Sequence, residues 1–166
     1  MGYAEPVCTV ELSITTIRLS FRIPYYLPLK NTFLIMMDKL RRILIAEDDD
    51  DSRIALKMML KLSKFDVIEA IDGRQAVDSV FNNRPDLVLM DLSLPVIDGL
   101  QATREIRQQP EFQSLPIIFV TGYDNQETID RIHATGGTDY VNKPIEFDDL
   151  KKTIESYLPA NLAGRG

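Results

Sequence analysis

The sequence lacks the features that mark a disulfide-linked, secreted or membrane-spanning protein. It contains one cysteine, Cys8, which excludes an internal disulfide and a zinc site built from cysteines. No stretch reaches the roughly 18 consecutive apolar residues of a transmembrane helix. Glu5 and Glu11 fall where a signal peptide would need an apolar segment. We therefore expect a cytoplasmic protein with no membrane partner.

Basic charge is also scarce. Across 166 residues, 19 lysines and arginines face 25 aspartates and glutamates, which gives a formal net charge of −6. Sequence-independent binding of nucleic acid needs a basic surface, so we expect no nucleic-acid partner. What is present is typical of a globular protein, with 45% hydrophobic and 27% charged residues. The length suits one domain with an appendage.

Residues 1–38 differ from the rest of the chain. Their charges cancel, so the whole net charge lies in residues 39–166. Apolar residues alternate over 10–14 and over 17–23, but the alternation shifts phase between the two stretches, and prolines follow. This pattern predicts either a weak hairpin or no ordered structure. We interpret the segment as an N-terminal extension that is poorly ordered or arises from start-site assignment, because Met37 offers a natural start.

From Lys39 onward, short apolar stretches alternate with segments of helical periodicity. The third stretch, 87–90, is apolar throughout, as in a strand buried on both faces. Such alternation is typical of a doubly wound parallel sheet. The predicted strands are 42–46, 66–70, 87–90, 116–120 and 140–141. The predicted helices are about 52–63, capped by Asp51 or Ser52, then 73–81, 99–108, one opened by Asp124 or Asn125 and running to about 135, and 147–158.

Polar residues stand where four of these strands end. The carboxyl ends of parallel strands meet at one edge of a sheet, where open α/β sheets bind ligands. Three carboxylates within a few ångströms repel by several kcal/mol at an effective dielectric constant of about 20. A cation must therefore lie among them, or one of them must stay protonated. The residues concerned are Glu47, Asp48, Asp91, Thr121 and Lys143.

Magnesium fits this set of donors best, because it takes oxygen ligands, keeps several waters and needs few carboxylates. One Mg²⁺ and Lys143 would balance the charge of three carboxylates. Such a site would hold a phosphoryl group, with the Thr121 hydroxyl donating to it. An aspartate can itself be the nucleophile and form an acyl phosphate. A calcium loop is excluded, because Arg53 and Met59 replace the glycine and glutamate that its spacing requires.

These motifs resemble those of a known family, the receiver domains of two-component response regulators. Each motif is weak alone, but their order at successive strand ends makes the set specific. The resemblance covers about residues 40–158, and we assign 39–160 to a receiver domain and 161–166 to a short tail. The motifs are Ile45-Ala46-Glu47-Asp48-Asp49, Asp91 with Pro95 and Gly99, Thr121-Gly122, and Asp139-Tyr140-Val141-Asn142-Lys143-Pro144.

The resemblance implies a flavodoxin-like, three-layer α/β sandwich with five helices and five parallel strands in the order 2-1-3-4-5. It implies a signalling protein, not an enzyme, that receives a phosphoryl group from a histidine kinase or histidine phosphotransfer protein. With no output domain after the last predicted helix, we expect signalling through an unidentified protein target. The alternative is a magnesium-dependent phosphatase of the haloacid-dehalogenase type, although Asp91-Leu92-Ser93 lacks the second aspartate of that class.

The resemblance also implies which residues bind the metal and accept the phosphoryl group. Asp91 would be the phosphoacceptor and a metal ligand. Asp48 would bind Mg²⁺ directly, Glu47 would act through water, and the backbone carbonyl of Ser93 would be a further ligand.

A second group of residues is implied to sense the phosphate. Lys143 would pair with Asp91 or its phosphate and precede a cis bond to Pro144. Thr121 and Gly122 would adjoin the phosphate, and Tyr140 would change rotamer as a switch.

Three further positions, Lys64, Tyr123 and His133, bear on the helix cap, the phosphorylated state and the relay. Lys64 stands where the family often has a glycine after the first helix, so we expect a strained cap there. Tyr123 is bulky at a position that the family associates with access of water to the phosphate, so the lifetime of the phosphorylated state is not predicted. His133, the one histidine, lies in the wrong part of the motif order for a phosphorelay, and we expect it to be structural or exposed.

The first predicted helix has two apolar faces. Ala55, Leu56, Met59 and Leu60 suffice to pack it on the sheet. A second stripe, at i, i+4 and i+8, has little reason to be exposed in a monomer. We predict that this stripe docks a partner helix; the alternative is burial, for instance under the N-terminal segment. Its members are Ile54, Met58 and Leu62.

Overall fold

The computed structural model describes residues 7–14, 17–24, 40–123 and 125–158. The chain divides into two compact units, Met1–Lys39 and Leu40–Gly166.

In the first unit, strands β1 (Val7–Ile14) and β2 (Ile17–Pro24) pair in antiparallel fashion. The register sets Leu12 opposite Leu19 and Ile14 opposite Ile17. The two alternating apolar stretches are therefore cross-strand partners, and their phase shift falls between the strands. Of the two alternatives predicted, the structure has paired strands over 7–14 and 17–24. The rest of the predicted extension 1–38 and the predicted tail 161–166 lie outside the described residues.

The second unit contains a parallel sheet of five short strands. In chain order they run second, first, third, fourth, fifth across the sheet, which confirms the predicted order 2-1-3-4-5. All five residues of the central strand are buried, as its unbroken apolar sequence predicted. The strands are β3 (Arg42–Ala46), β4 (Asp66–Ala70), β5 (Leu87–Asp91), β6 (Ile117–Thr121) and β7 (Asp139–Asn142).

Helices follow each of these strands at close to the predicted positions. A short 3₁₀ helix, Pro110–Phe112, also precedes β6. The α-helices are α1 (Asp50–Leu62), α2 (Gly73–Asn83), α3 (Gly99–Arg107), α4 (Gln126–Ala134) and α5 (Phe147–Tyr157). None of the helices in the described residues has the length and apolar character needed to cross a bilayer.

The start of α1 corrects one prediction. Asp49, rather than Asp51 or Ser52, is its N-cap, because the Asp49 carboxylate accepts a hydrogen bond of 2.8 Å from the backbone N of Ser52. Asp50 and Asp51 then lie in the first turn, where the helix dipole favours acidic side chains. The acidic run after β3 thus serves both the strand end and the helix start.

Alternate residues of the strands face two apolar clusters, one on each side of the sheet. Leu44 and Val88 pack with residues of α2, α3 and α4 on one side. Ile45 and Leu89 pack with residues of α1 and α5 on the other. The result is the predicted flavodoxin-like three-layer sandwich.

The packing of α1 corrects a second prediction. Leu56 and Leu60 are buried against the sheet and Met59 is half-buried, but Ala55 is exposed. The buried face includes Arg53 instead, whose side chain is only 12% exposed. Helical periodicity identified an apolar face, but it could not show that a charged side chain would share in the burial.

Candidate metal and phosphoryl site

Four strand ends bring the predicted site residues to one edge of the sheet. Glu47 directly follows β3, and its backbone N donates to the carbonyl of Ala70 at 3.1 Å. Asp91 and Thr121 are the last residues of β5 and β6. Lys143 directly follows β7, and the bond from Lys143 to Pro144 is cis, as the resemblance implied.

Three carboxylates meet at this edge. One oxygen from each of Glu47, Asp48 and Asp91 lies within 4.8 Å of the other two. Glu47 is 2% exposed and Asp91 7% exposed, whereas Asp48 lies at the surface. Oxygen donors from two buried side chains and one accessible side chain suit a hard cation that keeps part of its water shell.

Lys143 lies between the two buried carboxylates. Its Nζ is 2.8 Å from Oε2 of Glu47 and 3.1 Å from Oδ1 of Asp91. The ammonium group therefore bridges both carboxylates; the resemblance implied the pairing with Asp91, and the contact with Glu47 is additional. With all three carboxylates ionised, Lys143 leaves a net charge of −2, which one Mg²⁺ neutralises. The donor chemistry and the charge of the site both fit this ion.

Burial and pairing have opposite effects on these ionisable groups. Burial raises the pKa of Glu47, and the hydrogen bond from Lys143 offsets only part of that rise. Burial also lowers the pKa of Lys143, but the hydrogen bond to Glu47 and the charge of Asp91 outweigh it, so the pKa of Lys143 is raised. Lys143 is therefore charged at neutral pH, and the pKa of Glu47 lies above its usual value despite this pairing.

The backbone around Asp91 holds its carboxylate in place. Oδ2 of Asp91 accepts a hydrogen bond of 3.0 Å from the backbone N of Ser93. At Gly99, the first residue of α3, a Cβ atom would lie 2.2 Å from the backbone O of Asp91. Only glycine permits this approach. The prediction that the Ser93 carbonyl binds the metal stays a prediction.

The other residues that the resemblance implied to sense the phosphate lie on or directly after β6 and β7. The Thr121 side chain is buried, and its Oγ1 accepts a hydrogen bond of 3.0 Å from the backbone N of Tyr123. Gly122 is exposed, with no heavy atom within 4 Å of a Cβ built there. Tyr140 is half-buried against the apolar cluster formed with α2, α3 and α4. Tyr123 itself is 55% exposed.

The second apolar stripe of α1 is exposed to solvent. Ile54, Met58 and Leu62 are 53%, 63% and 77% exposed. Within the residues that the structure describes, the stripe is therefore not core. A groove of about 190 Å³ between α1 and the loop after β7 lies next to it, lined in part by Ala55, Met59 and Lys143.

The structure agrees with the expectations for Lys64 and His133. Lys64 has a φ of 62°, in the left-handed region that favours glycine, so the predicted strain is present. His133 is exposed. One residue near the site was not identified from the sequence. Arg53 donates hydrogen bonds to the backbone carbonyls of Glu47 and Asp48, which we call the acidic pair. The sequence marks this residue only by its position, near the start of the helix that follows the acidic run.

Comparisons with known proteins give one consistent family. The family model of the response regulator receiver domain matches residues 43–155. The chain is 31% identical, over 118 residues, to the polar-differentiation response regulator DivK of Brucella anthropi, covering 71% of this chain and 96% of DivK.

Solved structures give the same result. A putative response regulator from Chloroflexus aurantiacus superposes with a TM-score of 0.70 at 30% identity, covering 74% of this chain and 100% of that one. The receiver domain of a sensor histidine kinase from Pseudomonas aeruginosa, with a magnesium ion coordinated in its active-site cleft, superposes with a TM-score of 0.69 at 34% identity, covering 73% of this chain and 99% of that one.

Proposed function

The chain belongs to the response regulator receiver family, and from this premise we propose that it accepts a phosphoryl group on Asp91 from a phosphohistidine of a histidine kinase or histidine phosphotransfer protein. The observation that carries the proposal is the cluster of Glu47, Asp48 and Asp91 oxygens within 4.8 Å of one another, with Lys143 bridging two of them. This arrangement provides a nucleophile, a cation site and a fixed positive charge at one strand edge.

In the proposed transfer, a carboxylate oxygen of Asp91 bonds to phosphorus while the bond from phosphorus to the imidazole nitrogen of the donor breaks. Asp48 and Asp91 would hold Mg²⁺, with Glu47 acting through water and Ser93 through its carbonyl. When bound, the ion would neutralise negative charge on the phosphoryl oxygens. Lys143 supplies a second positive charge, and the Thr121 hydroxyl would donate a hydrogen bond to the phosphoryl group.

The test is labelling with acetyl phosphate followed by mass spectrometry of the intact protein. We expect a gain of one phosphoryl group that requires Mg²⁺, does not form in EDTA, survives acid and is released by base. Asp91→Asn should abolish it, whereas Asp78→Asn, at an exposed position on α2, should label like the wild type. Equal labelling of Asp91→Asn would refute the assignment. Repeated turnover of small phosphate esters would instead indicate the phosphatase alternative.

We further propose that the exposed stripe of Ile54, Met58 and Leu62 contacts the phosphohistidine-bearing partner. The stripe begins at Ile54 in the second turn of α1, and its neighbours on the same helix, Ala55 and Met59, line the groove that reaches Lys143. A partner helix lying on it would bring an imidazole close to Asp91. Burial of these side chains would also remove exposed apolar surface from water.

Met58→Glu tests this contact, because it places a charge in the middle of the stripe without touching the carboxylates. We expect slower transfer from a phosphorylated kinase of the same organism and unchanged labelling by acetyl phosphate. Ile71→Glu, at another exposed apolar residue, is the matched control and should affect neither reaction. If Met58→Glu lowers both reactions together, the stripe supports the fold and is not a docking surface.

We also propose that residues 1–38 are dispensable for folding and phosphorylation. The matched family region begins at residue 43, and the first 39 residues form a separate compact unit. A chain beginning at Met37 should fold and label with Mg²⁺ like the full chain. Unfolding or loss of labelling would show that the extension belongs to the domain. Faster transfer from the partner would show that it inhibits docking.

A further inference from the structure

Arg53 lies in the second turn of α1 and reaches back to the loop between β3 and α1. Its Nη1 donates to the backbone carbonyl of Glu47 at 3.0 Å and to that of Asp48 at 3.3 Å. Both acceptors belong to residues whose carboxylates form the metal site. The guanidinium thus contacts the backbone that carries these carboxylates and leaves their oxygens free for a cation.

Two acidic side chains hold the guanidinium in this orientation. Its Nη2 pairs with Asp50 at the start of α1, and its Nε lies 3.7 Å from Oε2 of Glu69 on β4. The side chain is only 12% exposed, which is unusual for an arginine. Each guanidinium nitrogen therefore has a partner, and the rigid planar group connects helix, sheet and loop. A lysine has no such planar fork and cannot reproduce all of these contacts.

The loop needs such a constraint because its carboxylates repel one another. Asp48 is exposed, and an unconstrained Asp48 side chain would lower the repulsion by turning away from Glu47 and Asp91. The Asp49 cap fixes the helix side of the loop, and the bond from Glu47 N to Ala70 O fixes the strand side. Arg53 fixes the two carbonyls between them.

We propose that Arg53 is a positioning residue of the metal site, which holds the backbone of Glu47 and Asp48 so that the carboxylates are already assembled when the cation binds. This inference rests on the proposed function, since Mg²⁺ binding is part of it. Loss of Arg53 should weaken Mg²⁺ binding without removing a ligand. Changes in the groups that orient metal ligands typically cost 10–100-fold in affinity.

The test measures Mg²⁺ affinity of the unphosphorylated full chain by isothermal titration calorimetry. Arg53→Met and Arg53→Lys should both raise the Kd for Mg²⁺ by about tenfold or more. Lys57→Met is the matched control: Lys57 is on the same helix and pairs with Glu69 at 2.5 Å, but its loss leaves the carbonyl contacts of Arg53 in place. It should bind Mg²⁺ like the wild type.

A second measurement separates positioning from a general loss of structure. At saturating Mg²⁺, labelling of the Arg53 variants by acetyl phosphate should return to the wild-type rate, because every ligand is still present. Unchanged Mg²⁺ affinity in both Arg53 variants would overturn the inference. So would a labelling defect that saturating Mg²⁺ does not restore.

The outcomes also separate this inference from the proposed function. If the wild type binds Mg²⁺, Asp48→Asn abolishes binding and the Arg53 variants bind normally, the proposed function stands and the role of Arg53 is refuted. If the wild type binds no Mg²⁺ at all, both fall.

Discussion

Gly99→Ala places one extra carbon where the end of β5 passes the start of α3. The new Cβ would lie 2.2 Å from the backbone O of Asp91 and 3.0 Å from Cγ of Met90. The first distance is 1.2 Å shorter than the 3.4 Å at which ordinary contacts begin. The obstructing atom is backbone, so no rotamer change removes the clash. The helix start cannot easily retreat either, because Gly99 N donates to Leu92 O at 3.1 Å.

The expected cost follows from this geometry. Overpacking of well-packed sites costs about 1–3 kcal/mol, and a backbone clash belongs at the upper end, so we expect a loss of about 2–3 kcal/mol in the free energy of unfolding. For a domain of this size that corresponds to a fall in Tm of about 10 °C. Any relaxation also moves Asp91, so labelling by acetyl phosphate should slow.

Urea unfolding of Gly99→Ala beside Gly122→Ala provides the assay. At Gly122 a Cβ meets no heavy atom within 4 Å, so the same substitution there should be neutral or stabilise the fold by up to about 1 kcal/mol through the unfolded chain. If Gly99→Ala unfolds within about 0.5 kcal/mol of the wild type, the close approach to Asp91 is not rigid and the reasoning is refuted.

Three other predictions concern pH, strain and a half-buried arginine. Burial raises the pKa of Glu47 above 4.5, so just above that pH the folded protein binds more protons than the unfolded chain. The contribution of Glu47 to the free energy of unfolding therefore falls as pH rises through this window. Lys143→Met removes a hydrogen bond that lowers this pKa, so in EDTA the window should extend to higher pH. Urea unfolding from acid to neutral pH checks this. Identical pH profiles of unfolding free energy for variant and wild type would contradict it. Lys64→Gly should raise the free energy of unfolding by about 0.5–1 kcal/mol by relieving the φ of 62°, whereas Lys64→Ala should give no gain. Arg107→Lys should lower the free energy of unfolding by about 2 kcal/mol, because the guanidinium donates to three backbone carbonyls at 2.6–2.9 Å. Labelling by acetyl phosphate should be unchanged. A urea midpoint equal to that of the wild type would contradict this.

Predictions based on periodicity and on strand ends succeeded because both are local properties with one geometric outcome. An apolar run such as 87–90 has the length of a strand, and only burial on both faces accommodates it. Once the strands are parallel, Asp91, Thr121 and Lys143 must share an edge of the sheet, whatever the helices do. The carboxylate cluster was predictable for the same reason.

Predictions that depended on side-chain competition were less accurate. Asp49, Asp51 and Ser52 are all good helix caps, and the sequence offers no means of choosing among them. The choice depends on where β3 ends and how the chain leaves the sheet. Ala55 appeared to be a core residue because small apolar residues usually are, but the contacts of Arg53 place part of a charged side chain in the buried face of α1.

The sequence by itself determined the sheet, its polar edge and the residues available to bind a cation, because short-range pattern and strand polarity suffice for these. Only the tertiary structure decided that Lys143 bridges Glu47 and Asp91, which are 44 residues apart (91 − 47), and that Arg53 holds the backbone of the acidic pair. Both contacts arise when distant segments compete for the same few donors and acceptors in a confined space. That competition has no signature in the spacing of residues along the chain.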